Sequence, residues 1–251
     1  MSKTILITGA SSGFGKAIAE IFATAGWNCI ITGRREDRLT ELSNQLQKNN
    51  GIKVLPLCFD IQNRKAVFDA IESLPLEWQS IDVLVNNAGL ALGRDSFENA
   101  SLDDWDTMID TNLKGLMYMS KAVLSLFIKI GKGQIINIGS TAGKEVYKDG
   151  NGYCASKHAV DAISKAMRID LLPYKIKVTA IHPGAAETEF SLVRFKGNEQ
   201  KAEMVYDGYK ALQSIDVANI VYYTANLPEH VCINDLTVTC LSQANSFYLH
   251  K

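Results

Sequence analysis

The sequence predicts an α/β protein built on a doubly wound parallel sheet of about seven strands, with helices on both faces. Short apolar runs rich in β-branched residues alternate with longer amphipathic runs along the chain. This alternation is typical of a parallel sheet that helices cover on both sides. The 251 residues, 47% of them hydrophobic, suffice for one large core, so we expect a single domain over 1–251.

Each strand is predicted from a short apolar run and each helix from apolar residues at 3.6-residue spacing. The predicted strands lie near 3–8, 27–33, 52–58, 81–86, 133–139, 175–182 and 231–239. The predicted helices lie near 14–25, 36–48, 63–73, 103–129, 151–172, 198–210 and 215–226. Ser101 is the expected N-cap of the fourth helix, and 184–197 is expected to be irregular. Parallel strands end at one edge of a sheet, where ligands bind, so the polar residues and turns after the strands are expected to line a crevice. These are Asp60, Asn86, Ser140 and Pro183.

Charge and composition exclude several classes of partner. The formal net charge is −1 and no polybasic run occurs, which disfavours nucleic acid and anionic membranes. No segment approaches the roughly 20 apolar residues of a membrane span, and the N-terminus does not resemble a signal peptide. The five cysteines and four histidines lack disulfide or metal-ligand spacing. We therefore expect a soluble cytoplasmic protein without a metal, in which His182 merely packs at a strand end.

A glycine turn joins the first strand to the first helix. Gly9, Gly13 and Gly15 follow the run 3–8 and precede the helical pattern at 14–25. Glycine allows close backbone approach, and the amides of a helix N-terminus favour an anion, so this turn is a candidate phosphate cradle. Its G-x-x-x-G-x-G spacing differs from the G-x-G-x-x-G dinucleotide fingerprint. A purely structural turn is the alternative.

Tyr153 and Lys157 lie one turn apart on a predicted helix and therefore on one face of it. A phenol has a pKa of about 10, and a neighbouring ammonium lowers that value toward the range useful for proton transfer. Alone, such a pair also occurs by chance on solvated helix faces.

Taken together, the motifs resemble those of the short-chain dehydrogenase/reductases, from Lys3 to about Val238. The motifs occur in order: the turn 8–15, the run 86–89, Asn112, Ser140, Tyr153 with Lys157, and the pair 183–184. Segments 86–93, 138–143 and 188–197 are similar to the bacterial NADP-dependent 3-hydroxy acid dehydrogenases, which include serine and allo-threonine dehydrogenases and malonic semialdehyde reductases. The resemblance implies a Rossmann-type fold, oxidation and reduction at a CH–OH group, and a homotetramer in which the tail 243–251 reaches a neighbouring subunit. The apolar excess of the predicted helices 103–129 and 151–172 also favours a homotetramer.

The resemblance also implies four catalytic roles. Tyr153 would exchange a proton with the substrate oxygen, and Ser140 would hydrogen-bond the same oxygen. Lys157 would lower the pKa of the tyrosine and hold the nicotinamide ribose. Asn112 would kink the fourth helix and anchor a water, although an asparagine inside a helix can also bind local backbone.

Arg34 and Arg35 end the second strand, where NAD-binding proteins usually place an acidic residue. Two guanidinium groups favour the 2′-phosphate of NADP(H), unless Glu36 and Asp37 neutralise them. The cofactor-binding set that the resemblance implies is Gly9, Ser11, Ser12, Gly13, Phe14, Gly15, Arg34, Arg35, Asp60, Ile61, Asn87, Ala88, Gly89, Tyr153, Lys157, Pro183, Gly184 and Thr188.

A substrate loop is expected near 184–214. Within it Arg194 is the candidate partner of a substrate carboxylate, beside Ser140 and Tyr153, unless it pairs with Glu189 at the surface. The segment 183–188 is one residue shorter than in the 3-hydroxy acid enzymes, and Glu187 adds a negative charge. A 3-oxoacyl thioester or another carbonyl substrate is therefore an alternative, and a nucleotide-binding module without turnover is a further one. The intact Ser140, Tyr153 and Lys157 argue against the module.

Overall fold

The computed structural model describes residues 2–251 and arranges seven strands in one parallel sheet. In chain order the first elements are β1 (Thr4–Ile7), α1 (Gly13–Thr24), β2 (Asn28–Gly33), α2 (Glu36–Asn50), β3 (Val54–Cys58), α3 (Arg64–Glu72) and β4 (Val83–Asn86). There follow α4 (Leu102–Ile109), α5 (Leu116–Ile130), β5 (Gly133–Ile138), α6 (Asn151–Asp170) and β6 (Ile176–Pro183). The last elements are β7 (Ala186–Glu187), α7 (Glu189–Arg194), α8 (Glu199–Met204), β8 (Leu212–Gln213), α9 (Ser214–Ala225) and β9 (Asp235–Val238).

The strand order is β3-β2-β1-β4-β5-β6-β9, which confirms the predicted doubly wound sheet. Every neighbouring pair in this sheet is parallel, while β7 and β8 form a separate two-stranded pair. The chain moves outward from β1 to β3 and then crosses back to place β4 beside β1. A crevice therefore opens beyond the carboxyl ends of β1 and β4, where the strand order reverses.

Side chains of the strands alternate between two cores, one on each face of the sheet. On β1, Ile5 and Ile7 pack in the core that also holds buried residues of α1, α2 and α9. Leu6, between them, packs in the core that holds buried residues of α3 and α5. This alternation is the consequence of the two-residue period of a strand. Both faces are buried, as the continuous apolar strands predict.

Three predicted elements differ from the structure. The predicted helix 103–129 is interrupted by a π-helical turn, Asp110–Gly115, between α4 and α5. The prediction that 184–197 is irregular is wrong, because β7 and α7 lie there. The predicted helix 198–210 is only the six residues of α8. Six-residue helices hold fewer than two turns, too few for apolar periodicity to reveal them.

The predicted N-cap of α4 is confirmed, since the Ser101 hydroxyl accepts a hydrogen bond from the Asp104 amide at 3.3 Å.

Within residues 2–251, every helix is too short or too polar to span a membrane.

Candidate functional site

The glycine turn is held against the end of β4 by hydrogen bonds between Thr8 and Asn87. The Thr8 hydroxyl accepts from the amides of Asn87 and Ala88, both at 3.0 Å. In return the Asn87 side-chain amide donates to the carbonyls of Thr8 at 2.9 Å and Gly9 at 3.1 Å. Gly9 has φ +66°, and a Cβ on it would lie 2.9 Å from the Ala88 Cα. Only glycine fits this turn, because both its φ and its close approach exclude a side chain.

A cleft of about 290 Å³, here called the glycine-turn cleft, opens beside this turn. It collects most of the residues that the sequence predicts to bind a cofactor. They are Gly9, Ser11, Ser12, Gly13, Phe14, Arg34, Arg35, Asp60, Ile61, Asn87, Ala88, Gly89 and Thr188. Gly15 is buried behind the turn instead, where a Cβ would collide with the Gly9 carbonyl. Asn86, expected at this crevice, is buried, and its amide nitrogen donates to Ser120 at 2.8 Å and Asn137 at 2.9 Å.

Glu189, rather than Glu36 or Asp37, is the carboxylate that pairs with the second arginine. Arg35 Nη1 donates to Glu189 Oε2 at 3.1 Å, and its other nitrogens donate to the hydroxyls of Ser11 and Ser12 at 2.7 to 3.1 Å. Arg34 lies 3.6 Å from Asp60. Arg38, in the first turn of α2, also binds Glu189, at 2.8 Å. No sequence signal singles out Arg38, because its partner lies 151 residues away.

A second cleft of about 260 Å³, the tyrosine cleft, contains Ser140 and Tyr153. Pro183 and Gly184 line this cleft rather than the first. Phe14, Thr188 and Phe190 line both clefts, and the Phe190 ring stands edge-on to the Tyr153 ring with 5.5 Å between centroids. The two clefts therefore meet at the catalytic candidate, so a ligand in one can reach a ligand in the other.

Tyr153 and Lys157 are both buried, and burial dominates their acidities. Burial raises the pKa of the Tyr153 phenol, and the Tyr147 ring adds to the increase, while a hydrogen bond with Ser140 and the charge of Arg194 oppose it. Burial lowers the pKa of the Lys157 ammonium to about 8. The Lys157 Nζ lies 5.9 Å from the centre of the Tyr153 ring and donates to the Ile138 carbonyl at 2.9 Å. Desolvation therefore dominates the pKa of Tyr153 in this structure, and the effect expected of Lys157 on the phenol stays a prediction.

Asn112 lies in the π-helical turn, and its side-chain amide binds the loop after β4. Its Oδ1 accepts from the Leu90 amide, and its Nδ2 donates to the Leu90 carbonyl, both at 2.8 Å. Nδ2 also donates to the Ser156 hydroxyl at 3.0 Å. Asn112 is thus not a local backbone binder, since its partners are 22 and 44 residues away. It joins the end of β4 to the helix that carries Tyr153 and Lys157.

Arg194 points into the tyrosine cleft and does not pair with Glu189. Its Nε donates to the Gly93 carbonyl at 3.3 Å, and its Nη2 donates to the Tyr147 hydroxyl at 3.0 Å. The guanidinium carbon lies 5.5 Å from the Tyr147 ring centre and 5.7 Å from that of Tyr153. The half-buried guanidinium is therefore fixed beside the phenol. Arg94 lines the same cleft but is exposed, and its guanidinium carbon lies 5.9 Å from the Tyr147 ring centre.

His182 does more than pack at a strand end. Its Nδ1 lies 3.2 Å from the Ser140 carbonyl oxygen, and its Nε2 lies 3.2 Å from Asp235 Oδ2. Lys144 Nζ donates to Asp161 and Asp235, both at 2.7 Å. Asp161, His182 and Asp235 could together hold a metal ion, but the ammonium groups of Lys144 and Lys165 already pair with the two carboxylates. This cluster supports the backbone of Ser140 from behind, and its members are too far apart in sequence for a motif to reveal it.

The tail after β9 folds back onto its own chain. The Gln243 side chain accepts from the Ala185 amide at 2.7 Å, and the Ser246 amide donates to Glu145 at 2.8 Å. Gln243 and Ser246 both line the tyrosine cleft. The tail thus closes the cleft of its own protomer, whereas the exposed Phe247 and Tyr248 point away into solvent.

Replacing Lys157 by Met should stabilise the fold. Because burial lowers the pKa of Lys157 to about 8, the unfolded chain binds more protons than the folded chain between pH 8 and its ordinary 10.5. The buried charge therefore costs the wild type stability below pH 8, and this cost vanishes as the pH rises to 10.5. Allowing for the lost hydrogen bond to Ile138, we expect the variant to be about 2 kcal/mol more stable at pH 7. Denaturant unfolding of both proteins from pH 7 to 10 measures the difference, which should shrink with rising pH. A variant less stable by the same amount at every pH would contradict the prediction.

Comparisons with known proteins agree with this geometry. The sequence model of the short chain dehydrogenase family matches residues 3–198. The NADP-dependent 3-hydroxy acid dehydrogenase YdfG of Escherichia coli K12 is 47% identical over 241 residues, 96% of each chain. Sulfoacetaldehyde reductase 2 of Chromohalobacter salexigens is 45% identical over 249 residues, 99% of this chain and 98% of that protein. A solved closed form of serine dehydrogenase complexed with NADP⁺ superposes with a TM-score of 0.92 at 45% identity, over 99% of both chains. Common ancestry therefore explains why the glycine turn and the pair Tyr153 and Lys157 occur on this fold, and the chain is a member of the short-chain dehydrogenase family.

Proposed function

We propose that the protein is an NADP(H)-dependent oxidoreductase that interconverts a 3-hydroxy acid, of the serine, allo-threonine or 3-hydroxypropionate type, and its 3-oxo form. The observation that carries the proposal is the position of Arg194, whose guanidinium is fixed beside the Tyr153 phenol in the cleft that holds Ser140. A cation at that point suits a substrate whose reacting carbon lies a short distance from an acid group. The names of the similar dehydrogenases support the same substrate class.

The glycine-turn cleft fits the dinucleotide. Gly9 and Gly13, both with positive φ, shape the turn that opens α1. Arg34 and Arg35 place two guanidinium groups in the cleft at the end of β2, where a 2′-phosphate would bind, and Arg38 adds a third beside Glu189. Thr188 would contact the carboxamide, and Lys157 the ribose of the nicotinamide. When bound, the nicotinamide supplies or accepts the hydride.

Tyr153 is the proposed proton donor and acceptor at the substrate oxygen. Because burial raises the pKa of its phenol, the proton stays on Tyr153 at neutral pH and is available to the oxygen of a carbonyl as that carbonyl is reduced. The Ser140 hydroxyl, which lines the same cleft as the phenol, would bind the same oxygen. In the oxidative direction the Tyr153 phenolate takes the hydroxyl proton, and the nearby Lys157 cation stabilises that phenolate before the transfer. Asn112 binds the loop after β4 and Ser156 on α6, so it would hold Lys157 in position and anchor a water near it.

A sulfonated aldehyde is a second candidate substrate, because sulfoacetaldehyde reductase 2 covers nearly the whole chain at 45% identity. Carboxylate and sulfonate both require the cation that Arg194 supplies, so both candidates use one site. Turnover with a panel of hydroxy acids, sulfoacetaldehyde and an acetoacetyl thioester distinguishes them. A strong preference for the thioester would reject both acid substrates.

The proposal extends to a homotetramer in the cytoplasm. Large apolar side chains are exposed along the helices, among them Met117 and Ile128 on α5, Ile169 on α6 and Tyr223 on α9. Such residues suit isologous contacts between copies of the chain. We expect light scattering of the purified protein at micromolar concentration to return the mass of four chains. A mass equal to one chain would contradict the proposal.

Replacing Tyr153 by Phe should remove nearly all turnover while NADPH binds within a few-fold of the wild type. The ring still packs against Phe190, and only the transferable proton is lost. General acid–base groups contribute roughly 10²–10⁴-fold in rate, which sets the expected loss in kcat. Steady-state kinetics and NADPH fluorescence titration measure the two effects. Ordinary turnover of the purified variant would reject the mechanism.

Replacing Arg194 by Ala should raise KM for the hydroxy acid by about tenfold or more and leave NADPH affinity nearly unchanged. A carboxylate that binds in this cleft loses a charged hydrogen-bond partner, which costs about 1.5–3 kcal/mol. The methyl ester of the same substrate is the control, since it carries no charge and should respond little to the change. If acid kinetics are unaffected, or if the wild type prefers the ester, the substrate proposal fails even though the enzyme is active.

A further inference from the structure

Glu189 holds the position at which the arginines of the glycine-turn cleft would meet an anion. Its carboxylate bridges Arg35 and Arg38, with Oε2 at 3.1 Å from Arg35 Nη1 and Oε1 at 2.8 Å from Arg38 Nη1. The rest of the Arg35 guanidinium is occupied, because Nε and Nη2 donate to Ser11 and Ser12. A 2′-phosphate that binds the Nη1 groups of Arg35 and Arg38 must therefore take the place of this carboxylate.

The carboxylate is charged in this position. Burial favours the neutral acid, but the hydrogen bonds from Arg35 and Arg38 outweigh it and hold the pKa of Glu189 below its ordinary value. A phosphate monoester carries a charge of about −1.5 to −2 at pH 7, so the two anions repel each other if both approach the arginines. An unphosphorylated ribose brings no such charge, and Glu189 can keep both pairs beside it.

We propose that Glu189 is an internal substitute for the 2′-phosphate that limits how strongly the enzyme discriminates NADP(H) from NAD(H). The phosphorylated cofactor displaces the carboxylate from Arg35 and Arg38, which reduces the net gain from the phosphate. The unphosphorylated cofactor leaves it in place, so the arginines stay neutralised and NAD(H) is tolerated. The inference rests on the proposed use of NADP(H) and concerns a residue outside the predicted cofactor set.

The same displacement links the two clefts. Glu189 is the first residue of α7, and Arg194 is the last, so the helix has one end on the arginines and the other in the tyrosine cleft. The Arg194 end is fixed by a pair of backbone and side-chain contacts with Gly93, at 3.0 and 3.3 Å. Release of Glu189 therefore changes the restraint on the helix that carries the proposed acid-binding residue.

Replacing Glu189 by Gln tests the proposal, because the side chain keeps its shape and loses only the charge. The probes are adenosine 2′,5′-bisphosphate and adenosine 5′-phosphate, which report on the adenosine end without the nicotinamide. Exposed ion pairs contribute modestly, so we expect the variant to bind the bisphosphate about three- to tenfold more tightly by calorimetry, with the monophosphate within about twofold. The kcat/KM ratio of NADPH to NADH should rise by the same factor.

Glu187→Gln is the matched control. Glu187, the last residue of β7, lies two residues before Glu189, is exposed, and accepts a hydrogen bond from Gln213 at 3.1 Å rather than from an arginine. This variant should bind both nucleotides like the wild type.

The Glu189→Gln variant should also show a smaller effect of the cofactor on substrate binding. Its KM for the hydroxy acid measured with NADP⁺ and its KM measured with NAD⁺ should lie closer together than those of the wild type, since the restraint on α7 no longer depends on the cofactor.

Three results would overturn the inference. If Glu189→Gln binds the bisphosphate more weakly, Glu189 orients the arginines for the phosphate instead of competing with it. If both nucleotides change equally, or neither changes, the carboxylate does not act at the 2′ position. Wild-type protein that binds bisphosphate and monophosphate equally would instead contradict the use of NADP(H) itself, so failure of the two proposals can be told apart. Melting temperatures of all variants verify that each is folded.

Discussion

The mutual hydrogen bonds of Thr8 and Asn87 are the constraint on which the site depends. They tie the turn after β1 to the loop after β4, the two neighbouring strands at which the strand order reverses. The connection continues through Asn112, which binds Leu90 in that loop and Ser156 on α6, next to Lys157. One series of hydrogen bonds thus runs from the glycine turn to the helix that carries the proton-transfer residues. A shift of either strand end would separate the two clefts that must act together.

The chemistry is built into the interior of the protein, and this has a cost in stability. Tyr153 and Lys157 are buried, and burial disfavours the charged form of each, so the phenol keeps its proton and the ammonium loses its own more readily. A buried phenol that stays protonated is well suited to hydrogen-bond and protonate a developing alkoxide. The large cores on both faces of the sheet offset the energy that these polar groups lose on burial.

α7 lies between the two clefts and contributes to both of them. Phe190 packs on the Tyr153 ring, and Arg194 is fixed by Tyr147 and Gly93 on the substrate side. The tail adds Gln243 and Ser246 to the same wall, and the cluster of Lys144, His182 and Asp235 supports Ser140 from behind. The long helix α6 therefore carries the proton-transfer groups, while short peripheral elements form the walls that contact a substrate. Loops positioned by a scaffold commonly play this part, which explains how related enzymes differ in substrate.

The sequence alone determined the fold class, the glycine turn and the pairing of Tyr153 with Lys157, because each is encoded within a few residues by strand alternation, turn chemistry or helical spacing. Contacts between distant residues were decided only by the tertiary structure. Arg35 is followed directly by Glu36 and Asp37, yet binds Glu189, which is 154 residues away. His182 and Arg194 likewise gain their partners through the fold. The acidity of Tyr153 follows from burial, and burial depends on how all the layers pack, so no local pattern could reveal that its pKa rises rather than falls.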